Sequence, residues 1–203
     1  MMSKEEYLKS AKYSDNVKKL NSLLDAIDIR DKNKLKKFLF ETSDFLFAPA
    51  SAKFHGSEYG GLAEHSIKVA ELMLNLTIEA WEINISAESA IICGLCHDLC
   101  KCNLYTPNLT KDGSFNKACA WKRDETNDYG HGDKSIFVIW KHLGNEFLTD
   151  EEFAIIRWHM YAFDKNFYEH QNYITKYPMI RIFHGCDQIA TGLEELKSNL
   201  IEE

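Results

Sequence analysis

The stretch "AIICGLCHDLCKCNLY" is apolar enough to be core, yet it carries His97 and Asp98 side by side and Lys101 three residues later. A lone buried carboxylate is costly, so the pair needs partners. The chain offers His65, His131, His159 and Asp187, which fall on other predicted elements, most of them on apolar helix faces. One kind of chemistry satisfies all six residues together. A divalent cation at the centre of a helical bundle takes imidazole nitrogen and carboxylate oxygen alike, which suits Mn, Fe, Ni, Co or Zn, with Mg as a further candidate; one or two ions are compatible with the set. Adjacent residues on a helix point about 100° apart, so His97 and Asp98 reach one ion only if it lies beside the helix end. Lys101 has donors and no acceptor, which places it to hold a phosphate near the ion rather than the ion itself.

The elements that must position these residues read as helices, because apolar positions recur at three- and four-residue spacing and only three prolines interrupt the chain. A polar leading region from Lys4 to about Phe47 is expected to hold two helices and to end in the loop "APASAKFHGSEYGG". A long helix follows from Leu62 to Trp81, with His65 on the face continued by Val69, Leu72, Met73 and Leu76. Ser86 caps the next helix, which is expected to carry His97 and Asp98. In the polar stretch from Asn103 to Gly130, "ACAWKRDETNDY" is read as a short hairpin. Asp133 is the expected cap of a helix just after His131, and Thr149-x-x-Glu152 has capping-box form ahead of the helix bearing His159. Pro178 opens the final helix, which bears Asp187.

Cys93, Cys96, Cys100 and Cys102 crowd the same region and raise the alternative of a thiolate zinc or iron–sulfur site. Cys93, Cys96 and Cys100 fall at helical spacing, whereas structural zinc sites usually present a CxxC on a turn, so small core residues are the reading adopted. Six cysteines without a secretory leader point to free thiols.

With 203 residues and 45% hydrophobic content the chain can bury one sizeable core. No apolar run is long enough to span a membrane. The charged N-terminus lacks a secretory h-region, so a cytoplasmic protein is expected. A formal charge of -7 argues against a sequence-independent grip on nucleic acid.

The order His65, His97-Asp98, Asp187, with "CHDLCK" fitting an HDxxK form, resembles the HD superfamily of metal-dependent phosphohydrolases. The segments "APASAKFHGSEYGGLAEHS", "YGHGDKS" and "RWHM" narrow the likeness to small bacterial and phage HD proteins and to the HD domain of certain 3′-to-5′ exoribonucleases. It spans roughly Phe45 to Leu193. The resemblance implies an all-α HD bundle over 45–203, with 1–44 as a helical extension packed on it. It also implies that His65, His97, Asp98 and Asp187 hold a first ion, and that His131 and His159 hold a second with Asp98 bridging.

The implied activity is phosphohydrolysis or phosphodiester cleavage of a nucleotide or short oligonucleotide through a metal-activated water, with Asp98 and Lys101 as catalytic residues. His55 in "KFHG" and Arg157 in "RWHM" are candidate phosphate contacts, though an arginine beside a buried tryptophan serves structure as often. Trp121, Tyr129, Trp158, Tyr161, Phe163 and Tyr168 flank the site in sequence, and stacking on one of them favours a nucleotide over a simple phosphate ester.

The chain departs from its likeness in two places. "WHM" stands where two-metal branches often have a His-His pair, and Tyr161 stands where the phage-like proteins tend to have Gly. Two rival functions follow. A 3′-end-directed nuclease would need a basic channel, for which only scattered lysines such as Lys111, Lys117, Lys122 and Lys134 are available. A catalytically idle metal or nucleotide sensor would have no use for Lys101.

Overall fold

Capping residues divide the N-terminal region into more pieces than its apolar period suggests. Ser3 opens α1 (Lys4–Leu8) in a capping box with Glu6, Ser10 caps α2 (Ala11–Asp25), and Asp31 caps α3 (Lys32–Lys37), which runs on as a π turn, Phe38–Thr42. Three helices therefore replace the two expected, because each cap accepts N–H groups that a new helix start leaves unpaired. The computed structural model describes residues 1–28, 31–78, 84–124 and 130–202. Leu20, Leu24, Leu35 and Leu39 belong to one core with the helices that follow, so the leading region is built into the body of the protein.

Helix α4 (Gly61–Ile78) lies along α5 (Ala87–Cys96), which Ser86 caps as expected. Trp81 lies outside the described residues. Gly94 lets these two helices approach backbone to backbone, since a Cβ there would stand 2.5 Å from the Ala70 Cα. That approach sets the rings of His65 and His97 with centroids 5.4 Å apart.

Strand β1 (Tyr105–Pro107) pairs antiparallel with β2 (Trp121–Arg123), Tyr105 opposite Arg123. Of the hairpin expected within 118–129, residues 125–129 lie outside the described residues, and Trp121–Arg123 pairs instead with the upstream Tyr105–Pro107. The loop between the strands closes on itself through Thr110, Asp112 and Ser114, with Gly113 at φ 83°. It therefore carries no period from which the upstream partner could be read.

Helix α6 (His131–His142) begins at His131 rather than after it. Gly130, at φ 81°, makes the turn into the helix, and no side chain caps it. Asp133, expected as the cap, lies in the first turn and pairs with the Arg157 Nε on α7 (Asp150–Trp158). Helix α7 opens with the expected box, Thr149 and Glu152 each accepting the other's backbone N–H. A side chain at Gly132 would overlap the Arg157 carbonyl, so α6 and α7 also meet backbone to backbone. After α8 (Gln171–Ile174), helix α9 (Met179–Glu202) starts directly behind Pro178 and packs against α4 and α7.

The described chain is all-α apart from the two-stranded ribbon. Among the described residues no helix is long and apolar enough to cross a membrane.

We predict that Gly94→Ala destabilises the fold by about 1–3 kcal/mol, the usual effect of overpacking a tight contact. The obstacle is the Ala70 backbone, which a rotamer change cannot move. Denaturant unfolding measures the difference, and an unchanged midpoint would show that the helices can part at no cost.

Candidate metal centre

Two histidines owe their orientation to the same local device. Helix α5 closes at Cys96 with His97 as its C-cap, and α7 closes at Trp158 with His159 as its C-cap. The last carbonyls of a helix lack intrahelical partners. His97 Nδ1 donates to the Gly94 carbonyl at 2.8 Å, and His159 Nδ1 donates to the Ile156 carbonyl at 2.7 Å. Each hydrogen bond puts the ring proton on Nδ1 and leaves a lone pair on Nε2.

The backbone leaves the helix at Asp98, whose φ of -109° and ψ of 21° lead into the 3₁₀ turn Leu99–Lys101. His97 and Asp98 were expected on one helix, where they would diverge by about 100°. Ending the helix between them lets both face the same centre. Ser135 on α6 fixes this corner, donating its hydroxyl to the His97 carbonyl at 2.5 Å and accepting the Cys100 N–H at 3.1 Å.

The Asp98 carboxylate, 4% exposed, has a different set of groups around each oxygen. Oδ2 lies 3.9 Å from His65 Nε2, 3.4 Å from His97 Nε2 and 2.6 Å from the Lys101 ammonium. Oδ1 lies 3.9 Å from His131 Nδ1 and 3.7 Å from His159 Nε2. Asp187, from α9, completes the first group, its Oδ1 standing 3.0 Å from His65 Nε2 and 3.9 Å from His97 Nε2. All six histidines and aspartates singled out in the sequence converge on one centre.

The donor set fits a divalent cation. Nε2 of His97 and Nε2 of His159 are buried without a hydrogen-bond partner, although both face carboxylate oxygens. A lone pair aimed at an anion is unfavourable unless a positive charge lies between them, and buried polar atoms are rarely left unpaired. His65 has the same arrangement with a different occupant: Nδ1 is tied to Glu194 at 3.2 Å, so Nε2 meets Asp187 through a proton or a metal ion.

The charges lean the same way. Burial disfavours a protonated His65, but Asp187 and Glu194 outweigh it and raise the ring to about 9. Asp98, and then Cys100, which face its Nδ1, raise His131 to about 10. Burial, with His97 beside it, lowers His159 to about 4 and keeps that ring neutral and able to donate its lone pair. Burial would also raise the pKa of Asp98, yet Lys101 above all holds its carboxyl well below the ordinary range. The carboxylates thus draw positive charge, here protons, to the His65 and His131 rings.

His55 and Lys101 line the same cavity of about 230 Å³, together with Tyr105, Met160, Gln188 and Thr191. Arg157 does not line it. Its guanidinium pairs with Asp133 and, at 2.8 Å, with Asp164, and lies over the Trp158 ring, which is the structural of its two roles. Of the aromatics near the site, Phe163 is 72% exposed beside an adjoining hollow that shares His131 and Met160 as walls. Tyr161 has a φ of 47°, the left-handed region that glycine enters most easily. Its ring packs on Phe167 with centroids 4.5 Å apart, and His184 holds the preceding turn by donating Nδ1–H to the His159 carbonyl.

Sequence reasoning missed two residues. Glu194 is 7% exposed and orients His65 from behind; its signal was the seven-residue spacing from Asp187, two turns along one helix face. Cys100, grouped with the core cysteines, turns its sulfur toward Asp98 and His131. Comparison with protein-family models, with curated proteins and with solved structures gives no match for this chain.

A carboxylate that orients a ligating histidine is worth roughly 10–100-fold in metal affinity. We therefore expect Glu194→Ala to weaken divalent-ion binding by about that factor in folded protein, measured by competition with a chromophoric chelator. Unchanged affinity would assign Glu194 to packing alone.

Proposed function

We propose that the chain is a metal-dependent phosphohydrolase of HD type, acting on a nucleotide or a short oligonucleotide phosphodiester. The observation that carries this reading is the buried Asp98, whose two oxygens face separate histidine groups while a buried lysine stands against one of them. A structural ion has no use for a cation at its side, whereas phosphoryl transfer needs positive charge where the phosphoryl oxygens gain negative charge. The sequence resemblance to HD phosphohydrolases, which rests on the same residues, supports the same assignment.

His65, His97, Asp98 and Asp187 would hold one ion, and His131 and His159 a second shared through Asp98. Ions held there supply Lewis acidity and a water that loses its proton near neutral pH. Lys101 remains charged although it is buried, because Asp98 overrides the cost of burial and keeps its pKa above the usual lysine range. Its ammonium bonds Asp98 Oδ2 and lines the cavity, so its remaining donors are placed for a phosphoryl oxygen. Gln188 and Thr191, on the α9 face that follows Asp187, add polar groups to the wall.

The cavity is below the roughly 300 Å³ of an ordinary ligand pocket. It suits a phosphoryl group, leaving the remainder of a substrate to extend past His131 toward Phe163, where an exposed ring can stack a base.

Turnover of a panel of nucleotides and of linear and cyclic dinucleotides, with and without Mn²⁺, tests the proposal. Metal bound with no turnover on any member would favour the sensor reading. Lys101→Ala should keep its metal and lose on the order of a hundredfold in rate, the effect of deleting one donor to a developing oxyanion. Unchanged turnover at saturating substrate would remove Lys101 from the mechanism.

The two ligand groups should also fail differently. Asp98→Ala is expected to lose metal at both positions, whereas His131→Ala and His159→Ala retain about one ion per chain with much reduced activity. Elemental analysis beside circular dichroism reads the count in folded protein. A fully active His131→Ala that loses no metal would refute the two-ion arrangement.

A further inference from the structure

We propose that Cys100 is a thiolate ligand on the Asp98 Oδ1 side of the centre, the outer half, forming a site with Asp98 and His131. The inference rests on the metal-binding reading above and adds to it a sulfur donor.

Three observations carry it. The first is a contrast among cysteines. Cys93, Cys96 and Cys102 are buried within the hydrophobic core, while Cys100, equally shielded at 2% exposure, is not part of that cluster. The 3₁₀ turn at Leu99–Lys101 takes it off the α5 face that buries the other two. Its Sγ lies instead 3.6 Å from His131 Nδ1 and 3.9 Å from Asp98 Oδ1.

The second observation is the spacing. Asp98, Cys100 and His131 offer ligand atoms that all lie within 4.8 Å of one another, and the His131-to-Asp98 edge is 3.9 Å. Atoms sharing one tetrahedral ion, with bonds of about 2.0–2.3 Å, stand roughly 3.3–3.6 Å apart. The three edges are therefore within a few tenths of an ångström of a ligating set.

The third is independent of the cysteine. His159 Nε2 is buried at 1% exposure, unpartnered, and 3.7 Å from the same Asp98 oxygen. It faces the same Asp98 oxygen as the thiol and His131 do, and its lone pair points to a ligand on this side of Asp98. Ligation replaces the S–H bond by a sulfur–metal bond and releases the thiol proton to solvent.

A thiolate makes the outer position softer than the inner one, which has only nitrogen and oxygen donors. Zn²⁺ and Co²⁺ then favour it over Mg²⁺ or Mn²⁺.

Titration of the metal-free protein with Co²⁺ tests the assignment without recourse to activity. Wild type should develop a near-ultraviolet thiolate-to-cobalt charge-transfer band. Cys100→Ser should keep the visible ligand-field bands, lose the charge-transfer band, and bind its outer ion at least tenfold more weakly, a loss no smaller than that of an outer-shell partner. Cobalt bound without the charge-transfer band in wild type, or the band persisting in Cys100→Ser, overturns the role of Cys100 and leaves the metal centre standing. No cobalt bound at all overturns the metal centre itself. If neither Cys100→Ser nor Cys100→Ala folds, X-ray absorption of the zinc-loaded wild type decides, with a sulfur neighbour near 2.3 Å supporting the proposal and only nitrogen and oxygen neighbours refuting it.

Discussion

Burial of the Asp98 carboxylate is the constraint on which the rest of the centre depends. An ionised carboxylate removed from water costs several kcal/mol unless it is paired and hydrogen-bonded. Asp98 meets that cost through Lys101 against one oxygen, with the rings of His65 and His131, both of raised pKa, 3.9 Å from its two oxygens. Helix α4 brings His65, α6 brings His131, the end of α7 brings His159, and α9 brings Asp187 to the same point. Removing a neighbour would leave a buried charge short of compensation, which binds the stability of the bundle to the integrity of its centre.

Packing serves the same end. Gly94 and Gly132 stand where a methyl group would strike a neighbouring backbone, one between α4 and α5, the other between α6 and α7. Both contacts lie within three residues of a centre residue in sequence, His97 and His131. Ser135 ties the turn after α5 to α6, so the helix pairs are linked at the corner that holds Asp98. Tight helix contacts therefore act here as positional tolerances, holding donor atoms to within a few ångströms across four elements.

Much of this was legible from residue types. Apolar spacing placed the helices, Ser86 and Thr149 marked two starts, and the histidines and aspartates, each weak alone, pointed together to one centre. What escaped was decided by backbone geometry that single residues do not advertise. The helix stop between His97 and Asp98 has no glycine or proline to announce it, and it is this stop that turns Cys100 away from the core. Asp133 looked like a cap because its competing partner, Arg157, lies on another helix. The β1 strand was hidden because its partner lies beyond a loop with no period of its own. Glu194 was not singled out, because its partner His65 lies on another helix, α4.

The tied tautomers of His97 and His159 bear on the rate at which the centre can exchange what it holds. Turning either ring over would break a buried hydrogen bond and strand both a donor and a helix-terminal carbonyl, at about 1–3 kcal/mol for each unpaired group. These two donors are fixtures on the timescale of exchange. His131 is the opposite: it begins an uncapped helix, its side chain is 35% exposed, and it forms a wall shared by both hollows. Were ions held on both sides of Asp98 as proposed, they would enter and leave past His131, and the outer position would equilibrate before the inner one, a kinetic order imposed by helix ends rather than by affinity.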